Sequence, residues 1–360
     1  MTVSDQSRLQ QVLSDIRPLD AEIMEEAARR LDQLTKPPGS LGRLEEIAKQ
    51  LAGIHGEVMP ELTRKAVVVM AGDHGVCEEG VSAFPAEVTP QMVLNFLNGG
   101  AAVNVLSRQT GADVVCVDIG VNAELSHPLL RSRKIRMGTA NMAKGPAMTR
   151  AEAEAAVMVG VELARELAGE GYRLLATGEM GIGNTTASSA LLAVLGATDP
   201  AAAAGRGTGI DDERLRHKQA VIRRAIETNR PEASDPLDAL AKVGGLEIAG
   251  LVGLILGAAQ SRIPVVIDGF ISSAAALVAA RLAPLSVSYM IASHLSQEQG
   301  HERLLTEIGL KPMLRMDMRL GEGTGAVLAF PMIEAAVRII KEMATFADAG
   351  VSGAAEREGV

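Results

Sequence analysis

The sequence predicts an α/β fold built on a parallel sheet with helices on both faces, and three observations predict it. Apolar, β-branched runs that end in glycine recur along the chain, and helical stretches with their own start and stop signals lie between them. In addition, 47% of the 360 residues are hydrophobic, enough to bury a large core. The length fits either two domains or one large α/β domain with an appendage.

The elements follow in order. Leu9 to Gln50 reads as charged helix, broken at Lys36-Pro37-Pro38-Gly39-Ser40-Leu41-Gly42, whose Pro-Pro-Gly step cannot continue a helix. Residues 1–60 therefore predict two or three helices around a loop. The continuous run Lys65–Met70 predicts a strand buried on both faces, closed by Ala71-Gly72-Asp73-His74-Gly75. The same design recurs at Asp113–Gly120, Tyr172–Gly178 and Ile263–Gly269. Thr149 and Glu152 form a capping box, after which Val157, Gly160, Val161, Ala164, Leu167 and Ala168 keep helical spacing until Gly169 and Gly171. Asp211–Asn229 predicts another helix, with Leu215, Ile222 and Ile226 on one face and Pro231 beyond its end. The apolar run Ile248–Ala259 is too short to span a bilayer, and Gly250, Gly253 and Gly257 punctuate it, so it reads as a buried helix. Ala326–Phe346 predicts a long helix, followed by a polar, mobile tail, Ala347–Val360. No internal repeat of fixed period is present.

Composition excludes several classes. Aromatic residues make up 2%, with no Trp, so the core rests on Ala, Leu, Ile, Val and 16 Met, and platforms for base stacking are lacking. A net charge of −9 also argues against nucleic acid, which needs a basic stripe. A small anionic ligand needs only a nest of amides and one or two cations. Cys77 and Cys116 lie in or beside apolar runs without metal or redox spacing, and read as reduced core residues of a cytoplasmic protein. Met1–Asp20 is polar and carries no readable secretory signal.

The glycine turns at strand ends are where an open α/β sheet binds ligands. Two of them carry a lone glutamate: Glu179 in Gly178–Thr186, and Glu322 in Gly321–Gly325. A carboxylate with no basic neighbour in its loop is open to base chemistry. Gly178 and Gly183 have the separation of a P-loop, yet Asn184 stands where the phosphate-binding Lys must be, which argues against an NTPase. Amides and hydroxyls at a helix N-terminus can still hold a monophosphate, and a tight structural turn accounts for the same residues equally well. Gly205-Arg206-Gly207-Thr208-Gly209, ahead of a helix carrying Lys218, is a second candidate cradle. His294–His301 contains ligand-type residues but lacks the spacing of a zinc helix, and no metal site is expected. Asp73 and His74 fit either an acid/base pair or a hydrogen-bonded corner. Asp268-Gly269-Phe270 is like a ribose-binding loop, but Asp268 lacks the second acid that pairs with magnesium in enzymes using a diphosphate donor.

Six segments together carry a resemblance: Lys36–Arg43, Ala71–Val76, Gly178–Thr186, Asp268–Phe270, Ser293-His294 with Gly300-His301, and Leu320–Gly325. In register from about residue 36 to 346, they resemble the nicotinate-nucleotide:dimethylbenzimidazole phosphoribosyltransferases, which make the lower-ligand nucleotide of cobalamin. The resemblance implies transfer of 5-phosphoribose from nicotinate mononucleotide to 5,6-dimethylbenzimidazole, giving α-ribazole 5′-phosphate and nicotinate. It implies a homodimer without a cofactor. Each chain would have a Rossmann-like three-layer α/β/α domain (residues 61–332) and a small helical domain from both termini (1–60 with 333–360). It further implies Glu322 as general base and Glu179 as a second active-site carboxylate. Ser82 and Gln91 fall near the benzimidazole site. Gly181, Gly183, Asn184, Thr185, Thr186, Gly205 and Lys218 fall on the phosphate side, with Asp268, Leu320 and Gly323 completing the substrate site. Two rivals remain at this point. A nicotinamide-dependent dehydrogenase would need G-x-G-x-x-G after the first strand, where this chain has Ala71-Gly72-Asp73-His74-Gly75. A non-catalytic nucleotide-binding protein would bind nicotinate mononucleotide without turnover.

Overall fold

The computed structural model describes residues 5–207 and 209–352, so the expectations for the end of the tail and for Thr208 lie outside the described residues. Chain contacts divide the protein into two units, one of Met1–Arg17 with Thr63–Ala329 and one of Pro18–Leu62 with Phe330–Val360.

The first unit is built on a six-stranded sheet: β1 (Lys65–Gly72), β2 (Asp113–Gly120), β3 (Arg131–Ser132), β4 (Leu174–Met180), β5 (Val265–Ile267) and β6 (Met290–Ala292). The order is β3-β2-β1-β4-β5-β6, and every neighbouring pair is parallel. The β-branched composition of β1 fits its place: from Ala66 onward every residue is buried, between β2 and β4. Because the chain winds from β1 outward to β3 and then resumes at β4 on the other side of β1, the loops leaving β1 and β4 diverge at their carboxyl ends. That divergence opens a crevice.

The predicted helices form. Thr149 caps Arg150–Gly169 through a capping box with Glu152, and Asp211 caps Asp212–Asn229 by accepting the Arg214 N–H. The apolar run becomes Leu246–Gln260, buried along Leu246–Ala259. Its glycines have a packing reason. A Cβ at Gly253 would collide with the Val157 carbonyl, and one at Gly160 with the Gly250 carbonyl, so the two helices cross backbone to backbone. Among the described residues no helix is long and apolar enough to cross a membrane. The first helix, Asp5–Asp15, groups with this unit, burying Leu9 and Val12.

In the second unit, Ala21–Asp32 and Arg43–His55 pack together around the Pro-Pro-Gly loop, which is pinned by a buried Lys36–Glu45 ion pair of 2.9 Å. Leu34 and Thr345 form an antiparallel bridge. The C-terminal helix runs Thr324–Glu342, shorter than expected, and Phe346 instead opens a separate four-residue helix capped by Thr345.

Two further expectations shift. β4 extends to Met180, so Glu179 is a strand residue rather than part of a turn, and the turn proper is Gly181–Gly183. The strand expected over Ile263–Gly269 contracts to β5, since Asp268 and the residues after it turn into the helix Phe270–Leu282.

Candidate active site

Within the first unit, a cavity of about 640 Å³ lies at the carboxyl ends of the strands. β4 and its turn supply Glu179 and Met180–Thr185, the segment after β1 supplies Val81, Ser82, Phe84, Val88 and Met92, and the last glycine turn supplies Leu320–Glu322. The lining thus combines apolar side chains with carboxylates, among them Glu179 and Glu322.

Glu179 leaves the end of β4 with ordinary strand backbone and is 5% exposed. Its Oε1 accepts the Glu322 N–H at 3.4 Å and its Oε2 accepts from Asn184 Nδ2. Burial pushes its carboxyl up to about 8, helped by the charges of Asp268 and Glu247.

Glu322 is held differently. Gly321, Glu322 and Gly323 all have left-handed backbone, with φ of 84°, 63° and 89°. A non-glycine residue there is strained, so something must hold it. Asp268 does: its two oxygens accept the N–H groups of Gly323 at 3.1 Å and Ala326 at 2.9 Å. The Thr324 hydroxyl donates to Gly321 O at 2.8 Å. So pinned, the Glu322 side chain is 7% exposed, and its Oε2 has no hydrogen-bond partner among the described residues. Burial raises its carboxyl to about 7, with Asp268 contributing.

A third group lies on the helix Asn184–Leu195, whose N-terminus opens on the cavity. Lys218, 1% exposed, reaches Thr185 Oγ1 at 2.7 Å and Gly205 O at 3.3 Å. Because the ammonium donates to Thr185 Oγ1, the threonine hydroxyl keeps its own hydrogen for a ligand. Burial lowers Lys218 to about 8, against the opposing charge of Glu298. Arg319 also lines the cavity, its Nη1 donating to Gly207 O at 3.2 Å.

Of the residues singled out from the sequence, Glu179, Glu322, Ser82, Gly181, Gly183, Asn184, Thr185 and Leu320 line the cavity. Asp268, Gly323, Thr186 and Lys218 stand behind it as supports, and Gly205 lines a smaller neighbouring cleft. Gln91 is exposed on the helix Val88–Leu97 and does not line the cavity, whereas Met92 does. Sequence reasoning missed Met92 and Arg319, whose types and spacing carry no local signal, and noted Glu298 only as one of the ligand-type residues in His294–His301. Asp73 and His74 do not line the cavity and are engaged in buried hydrogen bonds. Asp73 Oδ2 accepts the Asn122 N–H at 2.8 Å, while His74 Nε2 meets Glu247 Oε1 at 2.6 Å, both buried. Burial alone would depress the His74 imidazole, but the Glu247 carboxylate overrides it and holds it high. Among the described residues no three His, Cys, Asp or Glu side chains converge as a metal-ligand group.

The chain has known relatives. A phosphoribosyltransferase family model, DBI_PRT, matches residues 16–351. The chain belongs to this family. Two relatives, both named nicotinate-nucleotide--dimethylbenzimidazole phosphoribosyltransferase, come from Chloroflexus aggregans and Desulforamulus reducens. The first is 60% identical, covering 96% of this chain and 98% of its own length, and the second 59%, covering 96% and 99%. The solved structure of CobT from Thermus thermophilus superposes with a TM-score of 0.89 at 51% identity, over 92% of this chain and all of that one. The cavity brings together apolar side chains, buried carboxylates, and cations near a hydroxyl at a helix N-terminus.

Proposed function

We propose that the enzyme transfers 5-phosphoribose from nicotinate mononucleotide to 5,6-dimethylbenzimidazole, giving α-ribazole 5′-phosphate and nicotinate, with Glu322 as general base. The observation that carries this reading is the Glu322 carboxyl: buried, lining the cavity, unpartnered at Oε2, and raised to about 7. A base with that affinity is half ionised near neutrality, where proton transfer is most effective.

The chemistry needs little else. The donor's leaving group is already a pyridinium, so the glycosidic C1′–N bond breaks with its electron pair going to nitrogen, and nicotinate departs without a general acid. One benzimidazole nitrogen forms the new bond to C1′ from the opposite face, which converts a β-nucleotide into an α-riboside. The attacking ring gains positive charge, and Glu322 takes the proton from its other nitrogen. Glu179 accepts the Glu322 N–H and so supports the turn that aims the base. At the far end, Thr185, Asn184 and the turn Gly181–Gly183, backed by Lys218, suit the 5′-phosphate. The slot formed by Val81, Phe84, Val88, Met92 and Leu320 suits the aromatic base, with Ser82 at its edge.

The family resemblance supports a homodimer, and two free thiols, Cys77 and Cys116, fit a reducing cytoplasm. The test is direct. Purified protein incubated with nicotinate mononucleotide and 5,6-dimethylbenzimidazole should yield the ribotide, identified by mass and by the anomeric coupling in NMR. Nicotinate mononucleotide bound but unconsumed across a panel of benzimidazoles, or a β product, would overturn the proposal.

A further inference from the structure

His294 lines the cavity, and neither carboxylate mechanism uses it. Its ring is fixed in place. A Cβ at Gly325 would collide with the imidazole, so glycine there lets the last turn close over the ring, and a Cβ at Gly269 would stand 3.6 Å from Cε1 on another side. The tautomer follows from hydrogen count. Ser293 Oγ lies 2.8 Å from Ile267 O, 3.2 Å from Asp268 O and 3.0 Å from His294 Nδ1. A hydroxyl has one hydrogen, and the shortest of these contacts is to a carbonyl, which can only accept; with the hydrogen placed there, Nδ1 donates to Oγ. Asp268 Oδ1, 3.9 Å from Nδ1, favours the same placement. In the neutral form of that ring the lone pair lies on Nε2, which has no hydrogen-bond partner among the described residues.

The adjacent histidine is spent on structure. His301 Nδ1 accepts the Ser296 N–H at 2.8 Å, and its Nε2 faces Ser273 Oγ at 2.9 Å. Its ring stands edge-on to that of His294 with centroids 6.1 Å apart. The cavity is thus offered one oriented imidazole acceptor. An acceptor selects a donor, and phosphate and carboxylate groups in their ionised forms have no hydrogen to give. On a phosphoribosyl donor the only such donors are the ribose hydroxyls.

We propose that His294 Nε2 accepts a hydrogen bond from a ribose hydroxyl of the transferred group, making His294 a substrate-contacting residue that selects ribosides over deoxyribosides. The inference rests on the phosphoribosyl-transfer reading. A hydroxyl next to the reacting carbon that leans its hydrogen onto an acceptor gains electron density, which eases positive charge at C1′. The contact then strengthens in the transition state.

The test compares nicotinate mononucleotide with its 2′-deoxy and 3′-deoxy analogues in the wild type, His294→Phe and His294→Gln. Ratios of kcat/KM between substrates within one protein do not depend on how much of it is folded, so partial misfolding leaves the readout intact. The wild type should prefer the riboside over one of the analogues by at least about tenfold, because a site built to pair a hydroxyl rejects the analogue lacking it. His294→Phe should lose that preference, and His294→Gln, which keeps an acceptor, should restore part of it. A phenylalanine variant that discriminates as the wild type does against both analogues would overturn the inference, as would a wild type that does not discriminate. A wild type with no turnover of the natural donor would instead count against the proposed reaction.

Discussion

Glu179 and Glu322 look alike in sequence, each a lone acid among glycines, and the fold uses them in opposite ways. Glu179 sits on a strand with relaxed backbone, and both of its oxygens are partnered. Glu322 sits on a left-handed backbone held by Asp268, lines the cavity, and has one buried oxygen without a hydrogen-bond partner among the described residues. Both Glu179 oxygens already accept neighbouring N–H groups, which suits that acid to hold the turn, whereas the unpartnered Oε2 of Glu322 is left for a ligand's proton. On the proposed reading, the reacting group is the one on which strain and an unmet hydrogen bond coincide.

The largest effect should come from Glu322→Gln, which keeps the shape and removes the basicity. We expect kcat to fall by about a hundredfold or more, with KM for nicotinate mononucleotide little changed. In the wild type the base is the ionised form, so kcat should rise as pH climbs through about 7, where the Glu322 carboxyl titrates. Steady-state kinetics from pH 5 to 9 check both statements. A glutamine variant with wild-type turnover would make the two acids equivalent and dissolve the comparison.

Next comes the mounting of Glu322. Gly323 has φ of 89°, and a Cβ there would collide with Val67 Cγ2 and stand 3.2 Å from Gly178 Cα. Gly323→Ala should cost about 2 kcal/mol or more of stability, combining left-handed strain with overpacking. It should lower kcat by about tenfold through misplacement of Glu322. Thermal melts alongside kinetics separate the two losses. The stability loss without the kinetic one would show that the turn does not aim the base.

Much of this was legible in the sequence, for reasons that differ by element. β1 and β2 could be read because strands buried on both faces write continuous β-branched runs, and the helix starts because Thr149 and Asp211 are capping residues at the head of apolar periodicity. β3 and β6 could not, since two or three residues completing a sheet edge leave no period to detect. The two glutamates stood out because glycine marks close approach. The pairing of His74 with Glu247 did not, since those residues are 173 positions apart and only the winding order joins them. Asp268 shows the limit most plainly. Its type and place at a strand end suggested a ligand-facing acid, yet its oxygens point away to cap the turn carrying Glu322.

The third test is Glu179→Gln, where activity and stability should part company. Turnover should fall only about tenfold, because a glutamine oxygen can still accept the Glu322 N–H. Stability should move the other way, and the sign follows from linkage. Burial raises the Glu179 carboxyl from its ordinary 4.5 to about 8, so folding favours the protonated form. That contribution is fully present below about 4.5 and is lost as pH rises through about 8, where the folded protein must carry a buried charge or take up a proton. Glutamine carries no such charge. The variant should therefore melt at nearly the wild-type temperature at about pH 4.5 and about 2 °C or more above it at about pH 8.5.

The smallest effect probes the same strand end from below. Cys77 Sγ donates to Ile182 O at 3.0 Å under the Gly181–Gly183 turn, and burial raises its thiol to about 12, so it is an inert packing group. Cys77→Ala removes a weak bond and a small volume, about 1 kcal/mol of stability at most. kcat should stay within about twofold of the wild type, since the strand-borne side of the site rests on many supports and can lose one. A tenfold loss from so small a change would mean that the turn after β4 is as finely poised as the one carrying Glu322, and the contrast between the two acids would then lie in their oxygens alone.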